Sequence, residues 1–114
     1  MTGMPNEPLV AISSAARQGL PEDARRLLER GRVPFADACE FLGIGRGMGY
    51  PMARRYIKRT RRLVESGKPF NVKELAPERD KQGRWREIPC YQVGGKFICR
   101  ADLLVGMAYP EALR

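Results

Sequence analysis

The residues best placed to do chemistry in this chain are cations. Between Arg46 and Arg62 stand Arg46, Arg54, Arg55, Lys58, Arg59, Arg61 and Arg62, with no acid among them. A helix built only for solubility gains from opposite charges four residues apart and loses from like ones, so an acid-free run points to a polyanion rather than to a solvated face. Other chemistries find little support. The sequence has no His, no nucleophile with a base placed beside it and no acid pair outside ion-pair settings, which argues against an enzyme. Cys39, Cys90 and Cys99 are too few and too far apart for a disulfide scaffold, and without His they do not complete a four-ligand zinc site on their own. Gly43, Gly45, Gly47 and Gly49 follow a helical pattern rather than a strand, so they do not read as a phosphate-cradling loop. A binding protein without a cofactor is expected.

The elements that must position those cations can be read from spacing and caps. A short helix is expected from Pro8 to Gln18, closed by Gly19, after a disordered start over residues 1–7. The next helix has Pro21 at its first position, Glu22 and Asp23 in the first turn, Arg30 in the last and Gly31 as its cap, with Ala24, Leu27 and Leu28 as the apolar stripe. A third helix carries Phe35, Ala38, Phe41 and Leu42 at helical spacing and stops at Gly43. Ile44 then folds back onto it, which makes a tight Gly43-Ile44-Gly45 corner and fixes the exit angle of the element that follows. That element runs from about Arg46 to Glu65 as an amphipathic helix, with Met52, Ala53, Tyr56, Ile57, Thr60, Leu63 and Val64 inward and the cations outward.

Residues 66–87 turn polar and rich in Gly and Pro, with a turn signal at Asp80 to Gly83, and read as a loop or a poorly packed hairpin. Two β-prone runs, Ile88 to Val93 and Lys96 to Cys99, flank Gly94-Gly95, a two-residue hairpin signal because both glycines accept positive φ. Cys90 and Cys99 would face one another across this hairpin, which permits a disulfide in principle; in a reducing cytoplasm they are expected to serve as small apolar packers, with Cys39 in the core. A last short helix, Ala101 to Tyr109, carries Leu103, Leu104 and Met107 inward and ends at Pro110.

The chain has 114 residues and a formal charge of +8, which supports one core and excludes a two-lobed enzyme. Its first 45 residues are close to neutral, so the excess is concentrated at and after the corner. The expected organisation is an N-terminal arm over 1–20, a domain over 21–110 with 66–87 as an insertion, and a tail over 111–114. No apolar run is long enough for a membrane span, and no secretory pattern is visible at the start, so a cytoplasmic location without membrane attachment is expected.

Two helices joined by a short glycine turn, with the second one basic, give the physical outline of a helix-turn-helix: the first supports, the second enters the major groove. The stretch VPFADACEFLGIGRGMGYPMARR from Val33 to Arg55, followed by IPCYQVGGKFICRADLL from Ile88 to Leu104, resembles the excisionase and MerR-like winged helix-turn-helix family. The matching features are Leu42-Gly43-Ile44-Gly45-Arg46 with Tyr50, then the Gly-Gly hairpin running into Arg100-Ala101-Asp102-Leu103. They cover roughly a third of the chain. The chain departs from the family pattern at Met48 and Gly49, where a hydroxyl and a β-branched residue are usual, and at Pro51, which must lie in the first helical turn or mark a later helix start.

The resemblance implies an α+β fold, a mostly helical winged helix-turn-helix with a small C-terminal β-hairpin wing. It further implies sequence-specific binding of double-stranded DNA by an excisionase, or recombination directionality factor, of a phage or mobile element, which bends DNA to direct an integrase and self-associates on repeated sites. A transcriptional regulator of the same fold is the near alternative, and an assembly protein that docks the cationic helix on an acidic partner or RNA is the more distant one. Arg46 is expected at a groove edge or phosphate. Tyr50 has two roles open to it, a hydroxyl contact to phosphate or packing under the turn. Arg54, Arg55, Lys58 and Arg59 are expected to track a phosphate strand. Lys96 at the wing tip, with Arg84 and Arg86 in the preceding loop, are further DNA-contact candidates, although loop cations are often merely solvated. Trp85 is expected to cap the core beneath that loop.

Overall fold

The computed structural model describes residues 12–113. The expected disordered start, and the part of the first helix before Ile12, lie outside the described residues. The elements run α1 (Ser14–Gln18), α2 (Glu22–Arg30), β1 (Arg32–Pro34), α3 (Phe35–Leu42), α4 (Arg46–Glu65), a 3-10 turn at Val72–Leu75, β2 (Cys90–Val93), β3 (Lys96–Arg100), α5 (Ala101–Ala108) and a closing 3-10 turn at Pro110–Leu113. The fold is α+β, with helices arranged around a three-stranded antiparallel sheet in the order β1-β3-β2.

Local chemistry accounts for most boundaries. Ser13 caps α1 by accepting the Ala16 amide at 3.1 Å. Pro21 is the N-cap of α2, one position earlier than expected, with Glu22 and Asp23 in the first turn where the helix dipole favours acids. At the far end Gly31 takes φ 74° and returns its amide to the Leu27 carbonyl. The end of α3 is a Schellman motif. Gly43, at φ 71° and ψ 30°, donates to Glu40, and Ile44 donates to Cys39 at 3.0 Å. Ile44 packs against the core, as the corner requires.

Strand β1 is absent from the sequence reading. Three residues between Gly31 and a helix carry no usable periodicity; they become a strand because β3 lies beside them, with Val33 opposite Cys99. Pro34 is tolerated because β1 is an edge. The hairpin is as expected: Val93 pairs with Lys96 across Gly94 (φ 56°) and Gly95 (φ 86°), and Cys90 pairs with Cys99. Its first strand starts at Cys90 rather than Ile88.

Further expectations are corrected. Helix α5 is not one-sided: every residue from Ala101 to Met107 is buried, so it is the centre of the fold rather than its lid. Its neighbours α2, β3 and the closing 3-10 turn surround it, and Tyr109 is its C-cap rather than its last turn. Pro51 lies inside α4 as its sixth residue, so the helix neither starts late nor holds the proline in its first turn. The backbone bond lost is the one the Gly47 carbonyl would accept, and both residues are exposed, so water can satisfy that oxygen. At the other end of α4 the apolar stripe outruns the core, since Val64 is exposed.

The core joins Val33, Ile88, Leu104 and Val105, all fully buried, with Cys39, Cys90 and Cys99 among them. Burial pushes the Cys39 thiol up, and the adjacent Cys90 thiol together with burial pushes Cys99 up strongly. The thiolate is the reactive form, so the intact protein at pH 8 should resist iodoacetamide at all three thiols and take up three equivalents once unfolded in urea, as mass spectrometry would show. Fast native alkylation would contradict this packing.

Helices α3 and α4 cross closely at Gly49. A Cβ there would sit 2.7 Å from Cys39 Sγ and 3.0 Å from Phe35 Cζ, whereas one at Gly47 would meet nothing within 4 Å. Gly49→Val should therefore lose about 1–3 kcal/mol through overpacking. Gly47→Ala should gain up to about 1 kcal/mol from helix propensity. Urea denaturation of the two variants checks the contrast.

Candidate nucleic-acid interface

Helix α4 buries Gly49, Met52, Ala53 and Tyr56 against the core, which turns the opposite side outward. Two flanks of that exposed side carry the cations. Arg46, Tyr50 and Arg54 recur at intervals of four and form one flank. They face Gln92 and Lys96 of the β2–β3 hairpin across an open groove of about 550 Å³ whose floor includes Phe35 and Phe97. Arg46, Tyr50, Arg54 and Lys96, predicted separately from the sequence, are brought to one place.

Tyr50 makes the packing choice with its ring. It stacks on Phe35 at a centroid distance of 4.5 Å and 25° between planes, and approaches Phe97 at 5.9 Å. The Arg54 guanidinium lies 5.6 Å from its ring centroid. The residue is nevertheless 41% exposed, at the groove. The ring thus joins α3, α4 and β3 and carries Arg54, a cation–π arrangement that limits the guanidinium's freedom.

The second flank is formed by Arg55, which donates to the Arg86 backbone carbonyl at 3.2 Å. This puts the exposed Arg86 next to α4. Lys58 is exposed between the flanks. Arg84 is exposed and lies 3.5 Å from Asp80 within its own turn, which places it with the 79–85 hairpin rather than with the groove.

Arg59 is placed differently from the expectation. Its guanidinium turns inward and binds the Glu87 carboxylate at 2.8 and 2.9 Å, Glu78 at 2.9 Å, and the backbone carbonyls of Glu74 at 2.6 Å and Ala76 at 2.8 Å. The Glu87 side chain is only 4% exposed and also accepts the Glu78 amide at 2.9 Å. The hydrogen bond to the Glu87 carboxylate holds the Arg59 proton more firmly than usual, against the opposing effect of burial. Met52, Tyr56 and Arg59 follow the spacing of one helix face, so Arg59 borders the buried stripe. Its acids come from the 66–87 segment.

That segment is consequently well tied rather than loose. Asn71 and Glu74 form a capping box at the 3-10 turn, and Tyr56 donates its hydroxyl to the Leu75 carbonyl at 2.6 Å. Arg79 and Trp85 pair across a small hairpin. Asp80 closes it by accepting the Gln82 and Arg84 amides, each at 2.9 Å, and those bonds hold its carboxyl below the usual carboxylate range. Trp85 packs against the core with the Arg79 guanidinium 4.0 Å from its ring centroid, so its face is covered by the protein's own cation.

Gln92 and Phe97 were not singled out in the sequence, and Phe35 only as part of the apolar stripe of α3. Strand alternation was the available signal: once Cys90 and Cys99 point inward, Gln92 and Phe97 share their side of the hairpin two residues on, opposite each other. Among the described residues no group of three or more His, Cys, Asp or Glu could hold a metal ion, and no helix is long and apolar enough to cross a membrane.

The Arg59 clamp generates a stability prediction. Arg59→Ala leaves Glu87 buried without its cation. After allowance for the partial exposure of Arg59, this should cost about 3 kcal/mol in urea denaturation, whereas Lys58→Ala, one residue away and exposed, should change stability by less than about 0.5 kcal/mol. Equal effects would show that Arg59 is not structural.

No protein family matches the chain, and neither a curated protein nor a solved structure matches it.

Proposed function

We propose that this chain is a sequence-specific double-stranded DNA-binding protein of winged helix-turn-helix type. Helix α3 supports, α4 enters the major groove from its Arg46 end, and the β2–β3 hairpin lies as a wing along the neighbouring phosphates. The observation that carries this reading is the convergence of Arg46 and Arg54 with Lys96 on one open groove, where a helix without acids in its first four turns meets a hairpin tip. Cations on both walls of a groove suit a phosphate strand, and the N-terminal turns of a helix after a tight corner suit base edges. Arg55, Lys58 and Arg86 extend the positive surface on the far flank. Arg59 has no contact role in this reading. The resemblance over Leu42 to Arg46, Tyr50 and Arg100 to Leu103 favours an excisionase-type factor that bends DNA and works with an integrase.

Fluorescence anisotropy titration of duplex DNA across a salt series tests the proposal. With five cations on phosphates, Arg46, Arg54, Arg55, Lys58 and Lys96, log K should fall with log salt at a slope of about −4.5. The triple variant Arg46→Ala, Arg54→Ala, Lys96→Ala should weaken binding and reduce the steepness of that slope by roughly 3. Absence of binding at low salt, or binding indifferent to the triple variant, would remove the proposal. Footprinting on the element's own DNA then separates repeated sites beside an attachment site from a single promoter operator.

A further inference from the structure

The part of α4 that this reading sends deepest into the DNA is almost without hydrogen-bonding side chains. After Arg46 come Gly47, Met48, Gly49, Tyr50 and Pro51. Gly49 is buried under α3, and the Tyr50 ring is committed to Phe35 and Phe97. What is presented outward beside the cations is Gly47, Met48 and Pro51, all exposed. Met48 is 70% exposed, the most exposed of the large hydrophobic side chains described. It sits three residues before Pro51 and seven before Arg55, so the three lie on successive turns of one strip of the helix.

An apolar strip that leads into Arg55, with Arg46 and Arg54 on the neighbouring flank, matches one feature of the major groove. Phosphates lie on both walls, and among the base-pair groups on the floor the single apolar one is the thymine C5 methyl. Gly47 and Pro51 project little, which lets the helix approach closely, and the long unbranched thioether of Met48 can follow a methyl whose position varies. We infer that Met48 is a specificity-determining residue that reads thymine by apolar contact with its C5 methyl, in place of a polar side chain reading a base by hydrogen bonds. The inference rests on the DNA-binding reading above.

The test uses two duplexes of alternating sequence at low salt, one of dA and dT and one in which every dT is replaced by dU, which lacks the methyl but keeps every hydrogen-bonding group. Wild-type protein should bind the thymine duplex more tightly, by about fourfold for each methyl buried. Met48→Ala should bring the ratio of the two affinities close to one while leaving binding to the uracil duplex nearly unchanged. The substitution is at an exposed position, and an unaltered urea midpoint confirms that the fold is intact. A wild-type ratio of one, or a ratio that Met48→Ala does not alter, overturns the inference and leaves DNA binding standing. Failure of the wild-type protein to bind either duplex overturns both.

Discussion

The Arg59 guanidinium, bonded to the buried Glu87 carboxylate and to the Glu74 and Ala76 carbonyls, ties the 66–87 segment to α4. Glu87 immediately precedes Ile88, a fully buried residue whose amide reaches the Met52 carbonyl of α4. Arg59 therefore sets the point at which the chain re-enters the core after its long polar excursion. Everything downstream is measured from there: β2 begins two residues after Ile88, the Gly94-Gly95 turn follows, and Lys96 emerges at the hairpin tip. A cation in the middle of a basic helix thus places another cation, some forty residues on, across the groove from Arg46. Because the charges are partly withdrawn from water, the geometry holds only while the donors and acceptors are matched, and four carbonyl or carboxylate partners satisfy this one side chain.

A second constraint acts at the opposite end of α4. The Schellman corner at Gly43-Ile44 and the close approach at Gly49 lock the angle and spacing of α3 and α4, with Cys39 and Phe35 as the surfaces in contact. Tyr50 extends the same contact outward, tying Phe35 and Phe97 into one aromatic group on the edge of the groove. The first turns of α4 are held by packing on their inner side alone. On their outer side Gly47, Met48 and Pro51 are exposed.

Much of this was legible in the chain itself. Gly31 and Gly43 closed their helices as their positions demanded, the acid-free cationic run became one helix, and Gly94-Gly95 made the two-residue turn. These features depend on local backbone preference and on spacing within one element. The errors share the opposite character. Arg59 could not be separated from Lys58 by charge, because its role depends on acids that lie nineteen and twenty-eight residues away. Strand β1 exists only because β3 supplies its partner. The complete burial of α5 reflects neighbours on several sides, and its composition, apolar at nearly every position, was the clue.

The sequence by itself determined the helices, their caps, the hairpin turn and the segment in which positive charge accumulates, since each follows from forces acting over a few residues. Only the tertiary structure decided which of those charges face outward. It turned Arg59 into the clamp of the 66–87 segment, gathered Arg46, Arg54 and Lys96 around an aromatic floor, and left Met48 exposed on the strip of α4 that leads to Arg55. The physical reason is that a cation's role is set by what desolvates and neutralises it, and those partners are brought by the fold from distant parts of the chain.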